Sequence, residues 1–138
     1  MWSIEESRVV KAVPDQVWKV WTKVDGWNVW DSEIEWSRLD GAFAVGTSGF
    51  LKPKGGPKSK FVLTTVEPGK GFRDCTKLPF AELHFIHSVE PHAEGAKVTH
   101  RVELRGAFSG LFAKLMGKNF QRGLPRAVER LASLAETH

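Results

Sequence analysis

The chain has 138 residues, 41% of them hydrophobic and 26% charged, with a formal net charge of +4. This is the length and composition of one ordinary globular domain, which excludes wholesale disorder and needs neither disulfide nor metal to build a core. The lone Cys75 excludes an internal disulfide, no apolar run approaches membrane-spanning length, and Met1-Trp2-Ser3-Ile4-Glu5-Glu6 lacks the basic-then-apolar order of a secretory signal, so the expected setting is cytoplasmic. In chain order, residues 4–13 are rich in β-branched side chains and predict a strand. Pro14 then opens a helix, with Asp15 in its first turn where the helix dipole favours an anion. Val17, Val20, Trp21 and Val24 keep a helical stripe until Asp25-Gly26 breaks it. A second short helix carries Trp27 and Trp30 and ends near Asp31-Ser32.

From Glu33 onward the pattern is that of strands. Residues 33–39, 46–51, 61–66 and 71–78 each predict one, separated by glycine and proline turns. Residues 52–60 hold two Pro, two Gly and four Lys, and predict a loop.

Residues 80–89 and 96–104 predict a hairpin around a turn at 91–95. Facing Glu90 with Lys97 also faces Glu82 with Arg105, His84 with Glu103 and Ser88 with Thr99. The other face then pairs Leu83 with Leu104, Phe85 with Val102, His87 with His100 and Val89 with Val98. One face matches opposite charges and the other is apolar apart from two histidines. A slip of one residue destroys both patterns, which fixes the register.

Residues 108–136 predict one long helix. Phe108, Leu111, Phe112, Leu115, Phe120, Leu124, Val128, Leu131 and Ala135 form its apolar stripe. Pro125 removes an amide donor and predicts a kink. The sum is an α+β layout of one strand, two short helices, six strands and a long helix, with an antiparallel sheet.

Several phrases in this order carry a resemblance. They are Val13-Pro14-Asp15-Gln16-Val17-Trp18, Trp27-Asn28-Val29-Trp30-Asp31, Gly46-Thr47-Ser48-Gly49, the Lys-Pro-Gly loop, Leu83-His84-Phe85-Ile86-His87 and Val98-Thr99-His100-Arg101-Val102. Nearly end to end, the chain resembles the START-like (SRPBCC) superfamily, in its bacterial polyketide cyclase/dehydrase-like branch. The resemblance implies a helix-grip fold, with a seven-stranded curved sheet around the last helix and a cavity between them. It implies no single activity, because members include cyclases, hydrolases, carriers and receptors.

The expected function is binding of a small hydrophobic or aromatic molecule in that cavity. Trp27, Trp30, Phe61, Leu63, Asp74, Leu83, Phe85 and Val102 are expected on its walls. Phe112, Leu115, Met116, Asn119 and Phe120 are expected as its floor, with Asn119 either orienting a ligand carbonyl or edging toward solvent. The six Trp and nine Phe, with no Tyr, suit both a packed core and a stacking cavity. His87 and His100 are the candidate catalytic pair, since adjacent imidazoles cannot easily both be charged and so divide into acid and base. Without catalysis they are satisfied polar groups of the cavity wall. The enzyme alternative is a cyclase/dehydrase-like lyase that needs no cofactor.

No Cys/His spacing resembles a zinc motif, and a third ligand beside the two histidines would have to be Cys75 or Asp74. Phosphate-binding glycine loops and a Gly-x-Ser-x-Gly elbow are absent. Lys114, Lys118, Arg122, Arg126 and Arg130 recur every fourth residue. This ridge is either a solvated face or a contact for nucleic acid, anionic membrane or an acidic partner.

Overall fold

The computed structural model describes residues 1–137. The β-branched N-terminal run forms β1 (Trp2–Val10), followed by α1 (Pro14–Thr22) with Pro14 in its first turn. β1 ends three residues before the predicted boundary, because the Lys11 amide leaves the ladder and donates to Glu136 Oε2 at 2.9 Å. A one-turn 3-10 helix (Val24–Gly26) leads into α2 (Trp27–Trp30). Six strands follow: β2 (Ile34–Leu39), β3 (Ser48–Pro53), β4 (Ser59–Glu67), β5 (Gly71–Leu78), β6 (Ala81–His92) and β7 (Gly95–Arg105). α3 (Ser109–Glu136) closes the chain and includes Pro125 as a helical residue.

All strands join one sheet of order β1-β7-β6-β5-β4-β3-β2, antiparallel throughout. Register shifts at Ile34/Trp36 and Leu63/Thr65 add the local twist that curls the sheet around α3. The β6–β7 register is the one its charge pattern dictates, with Glu82 opposite Arg105, His84 opposite Glu103 and His87 opposite His100. Pairing continues to His92 and Gly95, so the turn shrinks to Ala93-Glu94. The predicted lysine loop shrinks as well. β3 runs to Pro53 at its end, a position where proline's missing donor is tolerated, and β4 begins at Ser59.

Trp21, Phe61, Leu63, Val98 and Leu131 are fully buried and centre the larger core cluster, between α1, the sheet and the second half of α3. Leu83, Val102, Leu104 and Leu124 form a smaller cluster toward the other end. The apolar stripe of α3 is only partly covered. Leu124, Val128, Leu131 and Ala135 are buried, whereas Phe108, Leu111 and Leu115 are 43%, 51% and 67% exposed. Gly117 lets Trp2 approach, since a Cβ there would lie 3.3 Å from the indole.

Candidate functional site

A cavity of about 180 Å³ lies between the concave face of the sheet and α3. Strand alternation places its polar groups. Asp74 and Thr76 share the inner face of β5, and β6 and β7 present His87 and His100. α2 contributes Trp27 and Trp30, and α3 contributes Met116, Asn119 and Phe120. Phe61, Leu83 and Phe85 complete the sheet side of the wall.

Four sequence-predicted wall residues lie elsewhere. Leu63 and Val102 are fully buried in the core clusters and do not reach the cavity. Phe112 packs beside the smaller cluster, one turn too early on α3. Leu115 is 67% exposed, because the cavity-facing side of α3 is set by Met116 and Phe120. Trp27 and Trp30 are each 3% exposed, as inner walls of the cavity. Asn119 is on the exposed side of the cavity edge, where its Oδ1 accepts from Arg122 Nη2 at 3.0 Å.

The cavity also takes Asp31, Glu33, Ile34, Leu51, Thr76, Gly123, Leu124 and Ala127, which were not predicted. Thr76 was within reach, since it follows Asp74 by the strand period. Gly123 and Ala127 matter through the room they leave. Asp31 Oδ1 accepts the Glu33 amide at 3.0 Å. Burial nevertheless raises the Asp31 pKa to about 6, with help from the Glu33 charge.

The two histidines stand side by side, ring centroids 4.5 Å apart. Aromatic rings enclose them. Phe72 stacks on His87 at 4.2 Å, Trp21 and Trp30 lie 5.8 and 5.5 Å from His100, and Trp27 is 6.5 Å from His87. The Trp21 indole N–H donates to His100 Nε2 at 3.2 Å. A neutral His100 therefore carries its proton on Nδ1. Burial pushes the His100 pKa down to about 3, and burial together with His100 pushes His87 well below its ordinary value. Both rings are neutral at physiological pH.

Asp74 lies diagonally from His87, since Phe72 faces His87 and Asp74 faces Phe85. Burial raises its pKa to about 8, so the carboxyl is a neutral acid at pH 7. The site thus sets the Asp74 carboxylic acid and two neutral imidazoles among aromatic and aliphatic side chains, with Asp31, Glu33 and Asn119 also on the lining. Trp30 Nε1 and His87 Nδ1 are buried with no hydrogen-bond partner among the described residues.

Asp74 and Cys75 point to opposite faces. Cys75 Sγ lies on the convex side, 3.8 Å from His84 Nε2, which is 3.1 Å from Glu82 Oε1. These three donors are the one cation-sized group among the described residues, and they do not join the cavity histidines. Beside them Glu103 is held by Arg101 and Arg105. Burial alone would raise its pKa, but the two arginines outweigh it and bring it below the usual carboxylate range.

A seven-stranded antiparallel sheet curled around a long terminal helix, with an apolar cavity between them, defines the helix-grip class. Residues 1–136 match the family described as polyketide cyclase / dehydrase and lipid transport, and the chain belongs to it. No curated protein matches the sequence. Protein MLL2253 from Mesorhizobium loti is similar in structure at 15% identity and TM-score 0.77, over 99% of this chain and 98% of that one. The di-domain ARO/CYC StfQ from the steffimycin biosynthetic pathway gives 13% identity and TM-score 0.77, over 98% of this chain and 50% of that one. Ara h 8.0201 gives 11% identity and TM-score 0.74, over 99% of both chains. At these identities the similarities show a shared fold.

Proposed function

We propose that the cavity binds a small, uncharged, hydrophobic or aromatic molecule bearing an oxygen acceptor. The observation that carries this is the set of polar groups on an apolar wall without protein partners. Trp30 Nε1 and His87 Nδ1 have none among the described residues, and burial keeps the Asp74 carboxyl beside them protonated at neutral pH. A buried donor left unmade is costly, so a ligand oxygen is the natural complement. The size of the cavity narrows the class. A dry cavity of roughly 150 Å³ accommodates benzene, so about 180 Å³ suits one ring or two small fused rings. Larger polycyclic ligands require α3 or the sheet rim to move.

The same lining favours cofactor-free acid–base chemistry as a second function. In it an imidazole takes a proton from carbon while the Asp74 acid protonates a carbonyl oxygen, and because burial makes both rings weak bases, this chemistry needs a bound substrate to raise the pKa of the acting histidine. The two functions separate by mutation. His87→Phe and His100→Phe leave a binding protein's affinity within a few fold, whereas an enzyme keeps binding and loses turnover.

The direct test uses 2-naphthol, a neutral two-ring aromatic fluorophore whose hydroxyl oxygen is an acceptor. Saturable one-to-one binding to the native protein is expected, weakened at least about tenfold by Met116→Trp, at a cavity-lining position packed against the smaller core cluster, with an unchanged melting temperature showing that the variant folds. Equal binding by both proteins would contradict the proposal.

A further inference from the structure

We propose that the end of the molecule formed by the β5–β6 turn and the first half of α3 docks on an anionic lipid bilayer. Phe80 sits in that turn with φ +55°, a conformation that strains any bulky residue, and the residue is 74% exposed. Glycine is the residue that relieves such a turn, yet the chain has a phenylalanine that burial does not reward. The Phe80 carbonyl accepts the Phe108 amide at 3.0 Å and the two rings lie 5.1 Å apart. Phe108 leads into α3, where Leu111 and Leu115 follow at spacings of three and four residues along one exposed face. Four large apolar side chains therefore form a continuous exposed strip from the turn onto the helix.

Cations accompany this strip. Lys114 lies three residues beyond Leu111, while Lys118 and Arg122 lie seven beyond Leu111 and Leu115, on the same helical face. All three are exposed, none is in an ion pair among the described residues, and residues 109–128 contain no Asp or Glu. An apolar tip bordered by unpaired cations matches acyl chains beneath anionic headgroups. A second copy of the chain fits poorly, since a two-fold contact would set these lysines against one another. Nucleic acid would use the cations and leave the exposed phenylalanines without a role. The wall residues Met116 and Phe120 lie on the opposite flank of the same helix, so docking brings the cavity's own helix to the membrane.

The test is co-sedimentation with phosphatidylcholine vesicles, with and without about 30 mol % phosphatidylserine, at about 50 mM and about 500 mM salt. Binding to the anionic vesicles is expected, lost at least about tenfold at high salt and on neutral vesicles. Phe80→Gly is the decisive variant. It relieves the backbone, so the melting temperature does not fall, while vesicle affinity drops at least about fivefold. Lys114→Glu/Lys118→Glu should lower affinity more at low salt than at high salt. Three results would overturn docking: equal or no binding to both vesicles, Phe80→Gly binding as well as the native protein, or tight binding only to single-stranded RNA. A dimer that Leu115→Ser dissociates, with no vesicle binding, would reassign the strip to a contact between copies.

Discussion

Asp74 shows how one side chain links stability to the proposed chemistry. Its pKa is about 8 in the folded protein and near 3.8 when unperturbed. Between those values the folded state holds a proton that the unfolded chain has released. Its stabilising contribution is complete below the unfolded pKa and is lost as pH rises through the folded one, at about 1.4 kcal/mol per pH unit. Asp31 acts with the same sign, but only up to its folded pKa of about 6. His87 and His100 act with the opposite sign, because their folded pKa values are lowered, and their window lies below pH 6.5. From about pH 6.5 to 8, Asp74 dominates among these four. Urea denaturation should therefore show stability falling by about 2 kcal/mol across that interval, and Asp74→Asn should flatten the slope. An unchanged slope in the variant would remove Asp74 as the titrating group. The sequence made Asp74 a cavity candidate without fixing the phase of its strand, because Phe72, Asp74 and Thr76 share one side. It gave no sign of the Trp21–His100 hydrogen bond, which joins residues 79 positions apart.

The strands were legible where two independent patterns agreed. In β6 and β7, opposite charges on one face and apolar pairs on the other admit a single register, and the fold has it. The first half of α3 was not legible, because its apolar stripe continues past the point where the sheet stops covering it. Phe108, Leu111 and Leu115 carry the stripe's periodicity without its burial. Four wall assignments failed for related reasons. A residue of the right phase, such as Leu63 or Val102, is buried whether it meets a cavity or another side chain. Close approach between strands is equally hidden in sequence. A Cβ at Gly49 on β3 would lie 2.3 Å from the Arg38 carbonyl oxygen and 2.6 Å from Phe61 Cζ. Gly49→Ala should destabilise the protein by about 2–3 kcal/mol, read as a lower denaturant midpoint with the slope unchanged. Gly110→Ala, with no atom within 4 Å of the added carbon, should not lower the midpoint.

Across the whole molecule, the curved sheet separates two environments on α3. One flank faces the interior, where Trp27, Trp30, Asp74 and the histidine pair line the cavity. The other exposes Leu111 and Leu115 beside a run of cations. No described helix is long and apolar enough to cross a membrane, so any lipid contact by α3 is a surface contact. Both environments are apolar, so binding alone does not say which is used. A methyl NMR titration with 2-naphthol separates them. The central claim predicts saturable shifts at Met116, Leu83 and Ile34, which line the cavity, and none at Leu111 or Leu115. Shifts confined to Leu111 and Leu115, with Met116 and Leu83 unmoved, would contradict it.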